Sequence, residues 1–175
     1  MTRLSRFPQL QPRKHSGWTG QARPWRRSIA THRPRRYSCF MSQSVAELIS
    51  DFELIDDWED RYRHIIELGR ALPAMDEALK SAATKVSGCA SQVWIHSTKT
   101  PDGKLALVGD SDALIVKGLI AVVFLMFKDL SFKDIAAYDA QGAFTKLGLT
   151  EHLTPQRSNG VASMINRIKA DALAE

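Results

Sequence analysis

The chain has 175 residues, enough for one domain with a single core, and its formal charge of +5 is unevenly spread: residues 1–40 carry ten of the 24 Lys and Arg and no acid, so residues 41–175 carry 14 basic against 19 acidic side chains, a net of −5. An acidic domain lacks the basic face that gathers phosphate contacts, which excludes nucleic-acid binding outside the first forty residues. The longest apolar stretch, residues 118–127, is well short of the ~20 residues that span a bilayer, and two cysteines, Cys39 and Cys89, make no disulfide framework, so a soluble protein of the reducing cytoplasm with no membrane partner is expected.

Residues 1–40 are rich in Arg, Pro and Ser without a periodic apolar face, the composition of a disordered tail. Three accounts fit it: upstream sequence read from a start ahead of Met41, an organelle targeting peptide, or a working basic arm. The second would make the protein organellar. The missing apolar segment argues against a secretory signal. The folded domain is expected over residues 41–175.

Ser44-Val45-Ala46-Glu47 has capping-box spacing and predicts a helix start. Asp56, three residues before Glu59, repeats the device, and Trp58, Tyr62, Ile65, Ile66 and Leu72 give the second helix one apolar face before Pro73 ends it. Residues 74–85 make a polar, partly helical approach to Cys89. The alternating segments 91–98 and 104–110, joined by the turn sequence TPDG, predict a β-hairpin, and a short segment around Lys85–Ser87 would add a third strand. Ser111 or Asp112 is placed to cap a helix from Ala113 to about Lys128 that is apolar nearly all round apart from Lys117, as a core helix is. Two shorter helical segments follow, 131–138 and 140–148, the latter closed by Gly148, and a last amphipathic helix begins at Ser158 or Asn159 with Val161, Met164, Ile165 and Ile168 on one face. The fold class is α+β: a small antiparallel sheet of about three strands flanked by helices.

Cys89 is the one cysteine of the predicted domain. Unpaired cysteine commonly serves as a small apolar filler, but Gly88 beside it permits backbone conformations closed to other residues, as a loop tip carrying a reactive thiol requires. A structural zinc or an iron–sulfur cluster normally needs four ligands, and His64, His96 and His152 are too dispersed to supply them. Protease-like chemistry needs an oriented histidine, and neither His96 nor His152 is singled out. No glycine-rich phosphate loop is present. Attack on the outer sulfur of a persulfide presented by another protein asks only for an accessible thiolate, which a partner's active site can help generate. Such a carrier should shelter its sulfur between transfers. A stand-alone thiol enzyme, which would usually want a resolving cysteine, and a binding module with an inert cysteine are the competing classes.

The motifs GCASQVW (88–94), GDSDALIVKGLIAVVF (109–124) and HLTPQRSNGV (152–161) together resemble the SufE family of cysteine-desulfuration proteins, from about Ser44 to the C-terminus. The resemblance implies a fold shared with IscU-type scaffold proteins and a sulfur acceptor in iron–sulfur cluster assembly. Such an acceptor docks on the pyridoxal-phosphate cysteine desulfurase SufS or a paralogue, stimulates it, and passes sulfur to the SufBCD scaffold. It acts as an accessory protein, monomeric or homodimeric, rather than as an enzyme of its own. By motif position Cys89 receives the sulfur, Arg157 lies near the cysteine loop and the desulfurase surface, and Asp112 lies on the loop beside the cysteine, although helix capping explains Asp112 equally well. Arg157 is read as a charge just before the last helix, Gln92 as a hydrogen-bonding member of the cysteine loop with Gly88 beside it, and Lys117 as a helix-surface or partner residue. No resident metal or cofactor is implied: the persulfide on Cys89 is transient and the pyridoxal phosphate belongs to the partner. One cysteine, where IscU-type scaffolds use three, argues against a scaffold role.

Overall fold

The computed structural model describes residues 43–174; the basic tail and the alternative start at Met41 lie outside them. Helix α1, Val45–Leu54, begins at the predicted capping box: Ser44 Oγ accepts from the Glu47 amide at 3.2 Å, and the Glu47 carboxylate accepts from the Ser44 amide at 2.7 Å. Helix α2, Trp58–Ala71, is capped by Asp57 rather than by the predicted Asp56, because Asp57 Oδ1 reaches the amides of Glu59 and Asp60 at 2.6 and 3.3 Å, two of the free donors of the first turn. The helix stops at Leu72, held extended ahead of Pro73. The approach to the cysteine holds one 3-10 turn, Glu77–Leu79.

Strands β1, Val93–Lys99, and β2, Leu105–Ser111, form the predicted antiparallel hairpin with Val93 opposite Ser111 and Lys99 opposite Leu105. The connecting turn uses Gly103 at φ +77°. The expected third strand is reduced to a single bridge, Lys85 opposite Trp94, carried by Val86 N–H donating to Val93 O at 2.9 Å and Ile95 N–H to Thr84 O at 2.8 Å. Turns on both sides truncate it. Thr84 Oγ1 donates back to the Leu79 carbonyl, and Gly88 turns the chain at φ +87°, so no second residue pair forms.

Helix α3, Leu114–Phe127, is the centre of the core, with every residue from Gly118 to Phe127 buried. Neither Ser111 nor Asp112 is its N-cap. Ala113 holds that position without a side-chain cap, Ser111 Oγ accepting only the Ala113 amide at 3.3 Å, because Asp112 is occupied elsewhere. Around α3 pack α2, α1 and the inner face of β2. The contact with α2 is close: a Cβ on Gly118 would lie 2.2 Å from the Ile65 carbonyl oxygen. Short helices α4, Phe132–Ala137, and α5, Ala140–Lys146, follow, and Gly148 at φ +67° closes α5 as predicted.

The last helix, α6, runs from Pro155 to Leu173 and packs on α3, α4 and β1 through Val161, Met164, Ile165 and Ile168. It starts three residues ahead of the predicted Ser158. Thr154 is its N-cap and Pro155 takes the first helical position, where proline's fixed φ suits the helix and its missing N–H costs nothing. Among the described residues no helix is long and apolar enough to cross a membrane.

Candidate functional site

Residues 87–92 form a loop closed at its base by the Val86–Val93 hydrogen bond and laid across the start of α6. Gly88 supplies two things there. Its positive φ is the left-handed conformation that glycine tolerates, and its bare Cα lets the loop approach Ser163, whose Oγ would be 2.8 Å from an added Cβ. The next residue, Cys89, is half-buried, with Sγ 3.6 Å from the Gly160 carbonyl oxygen, to which the thiol donates. Gly160 is the seat. A Cβ at that position would stand 3.2 Å from Sγ, so a larger residue would press on the sulfur.

Burial pushes the Cys89 thiol up from its ordinary pKa, and the S–H···O contact is available only to the neutral form. The resting side chain is a thiol rather than a thiolate. Beside it lies a cavity of about 220 Å³, walled by Val116, Leu119 and Met164 below and by Thr154, Gln156 and Arg157 at the rim. A larger apolar groove of about 300 Å³, lined by Leu72, Leu105, Phe124 and Phe127, contains no cysteine or histidine.

Arg157 lies inside the first turn of α6, as its third residue, not before the helix. At a helix N-terminus the macrodipole disfavours a cation, and among the described residues no carboxylate forms an ion pair with it. Asp112 is committed to the cysteine loop. Its Oδ1 accepts the Gln92 amide at 3.0 Å, while its own amide donates to Gln92 O at 3.4 Å. Gln92 thus enters the loop's hydrogen bonding through its backbone, its side chain being exposed. Two residues further on, Leu114 opens α3 with 55% of its surface in water.

Among the described residues no histidine is hydrogen-bonded to the thiol. His152 stacks on Trp58 with ring centroids 4.0 Å apart, His96 Nε2 shares a proton with Thr98 Oγ1 at 3.2 Å, and His64 meets Phe52 edge-on. Among the described residues no group of three or more His, Cys, Asp or Glu is arranged to hold a metal ion. Lys117, read from sequence as a helix-surface or partner residue, is partly exposed and paired with Asp110 at 2.6 Å. Sequence reasoning missed Gly160 and Ser163. The available signal was a glycine in the interior of a long helix, which costs stability and so points to a close approach.

Comparison with known proteins places this geometry in a wider group. The family model described as "SufE: Fe-S metabolism associated domain" matches residues 46–172. An uncharacterized SufE-like protein of Rhizobium etli is 46% identical over 142 residues, covering 79% of this chain and 95% of the relative. Another, of Rhizobium meliloti, is 48% identical over 132 residues, covering 74% and 94%. The solution structure of a hypothetical protein from Thermus thermophilus superposes with a TM-score of 0.61 over 75% of this chain and 96% of that one; at 20% identity it supports the fold alone.

Proposed function

The chain belongs to the SufE family, whose domain is associated with Fe–S metabolism, and from that premise we propose that it is a sulfur acceptor whose Cys89 takes sulfur from a pyridoxal-phosphate cysteine desulfurase, SufS or a paralogue. It stimulates that enzyme by emptying its active site and delivers the sulfur to the SufBCD scaffold. In the transfer, Cys89 loses its proton to a base of the partner, and the thiolate attacks the outer sulfur of the desulfurase persulfide. A new S–S bond forms on Cys89, the old one breaks, and the desulfurase cysteine leaves as a thiolate, with no net oxidation.

The observation that carries this reading is the state of Cys89: a neutral, half-buried thiol packed on the edge of the core, with a weak sulfur hydrogen bond to Gly160 and, among the described residues, no histidine hydrogen-bonded to it. A thiol in that state is a poor nucleophile alone, so activation has to come with a partner that draws the loop out. The cavity beside it is roomy enough for one more sulfur atom. Arg157, a cation at the cavity rim with no carboxylate partner among the described residues, suits an acidic group of the partner, and exposed Leu114 offers an apolar contact next to the loop. Gly88, Gln92 and Asp112 hold the loop for release.

Incubation with desulfurase and free cysteine should add one sulfur atom to Cys89, read by intact mass. Cys89→Ser should gain none and leave the desulfurase at its basal turnover. Equal stimulation by the serine variant would overturn the reading.

A further inference from the structure

A charged cluster lies at the base of the cysteine loop without touching the thiol. Asp110, near the end of β2, gives one carboxylate oxygen to Lys117 Nζ at 2.6 Å and the other to Lys80 Nζ at 2.8 Å, its own side chain being 13% exposed. The Oδ1 atom also accepts the Ser111 amide at 2.8 Å, and Lys80 is paired in turn with Glu77 at 2.6 Å. Asp110 and its two lysines come from three segments: Lys80 from the approach to the cysteine loop, Asp110 from the strand that leads to Asp112, Lys117 from the first turn of α3. Trp94, opposite Asp110 in the hairpin and opposite Lys85 in the single bridge, lies among them with Lys80 Nζ 5.8 Å from its ring centre.

Stability is a poor explanation for this cluster. Lys117 is the one charged residue of α3 and stands where the helix dipole disfavours a cation, and ion networks taken out of water often add nothing over apolar replacements. What such a network fixes is geometry. Two residues beyond Asp110, Asp112 meets Gln92; three residues before Gln92 stands Cys89.

We propose that Asp110, gripped by Lys80 and Lys117, is a positioning residue for Cys89: it fixes where both stems of the cysteine loop meet α3, so that Asp112 reaches Gln92 and the thiol rests on Gly160. The clamp stays closed when a partner withdraws the loop tip, and it returns the tip to the same seat afterwards. This deepens the proposed sulfur-acceptor role and rests on Cys89 being its reactive thiol, but its test needs no desulfurase.

The test is the rate of Cys89 alkylation by iodoacetamide against pH, in the full chain carrying Cys39→Ser so that one thiol reports. With the clamp intact, alkylation should be slow, with its midpoint above that of a free cysteine. Asp110→Asn and Lys117→Met should each raise the rate near neutral pH about tenfold and move the midpoint down toward the free-cysteine value. Lys117→Arg, which keeps the ion pair, should restore the slow profile. Thermal unfolding recorded in parallel separates positioning from folding: variants that lose stability with an unmoved midpoint would overturn the proposal. If Asp110→Asn does not fold, Lys80→Met and Lys117→Met decide, and unchanged profiles in both would equally overturn it. Altered profiles together with no sulfur on Cys89 in the desulfurase assay would reject the acceptor role and leave the clamp standing.

Discussion

At the crossing of α2 and α3, a Cβ on Gly118 would stand 2.2 Å from the Ile65 carbonyl oxygen and one on Gly69 would stand 2.5 Å from the Gly118 amide nitrogen; at the cysteine seat, a Cβ on Gly160 would stand 3.2 Å from Cys89 Sγ. Both contacts depend on glycine, but the opposing atoms differ. In the first case backbone meets backbone inside the core, and nothing can give without moving a helix. In the second a helix meets the end of one short side chain on a loop, and a shift of a few tenths of an ångström suffices. One contact leaves its neighbours no room to adjust, and the other leaves the sulfur room for a small shift.

The sharpest way to break that contrast is Gly118→Ala. Forcing α2 and α3 apart should cost about 3 kcal/mol or more and lower the melting temperature by roughly 10 °C, measured by thermal unfolding. A shift of a degree or two would mean that the crossing is as yielding as the seat. Gly160→Ala should leave stability within about 1 kcal/mol of the parent, since alanine's better helix propensity offsets the crowding, while the alkylation rate of Cys89 rises several-fold as the sulfur is displaced. Destabilisation on the scale of Gly118→Ala would erase the distinction.

The smallest effect concerns pH. Burial raises the Cys89 thiol above its unfolded value, so its contribution to stability is fully present below the unfolded pKa of ~8.5 and is lost as pH rises through the folded value. Cys89→Ala should flatten this part of the alkaline stability profile, by denaturant unfolding between neutral pH and pH about 10. An unchanged slope would place the thiol in water rather than on Gly160.

What could be read from the sequence was local. The Ser44–Glu47 capping box, the apolar run of α3, the TPDG hairpin and the Gly148 cap each follow from residues within a few positions of one another. What could not be read is settled by distant partners. Asp112 carries the letters of a helix cap, yet it spends its carboxylate on Gln92, twenty residues earlier, and only the folded chain brings the two together. Lys117 looks like a lone surface charge until the fold brings it and Lys80 together on Asp110. The third strand failed for the opposite reason: its residues suit a strand, but the turns at Ser81–Thr84 and Gly88 leave room for one bridge. The motif around Cys89 was legible, whereas the contact of its sulfur with Gly160, 71 positions downstream, was not.

That separation along the chain bears on biosynthesis. The cysteine loop is synthesised 71 residues ahead of Gly160, so a nascent molecule carries the Cys89 sulfhydryl without its seat until α6 has been made. Shielding of the sulfur waits on that helix, and any product cut short ahead of α6 would never acquire it.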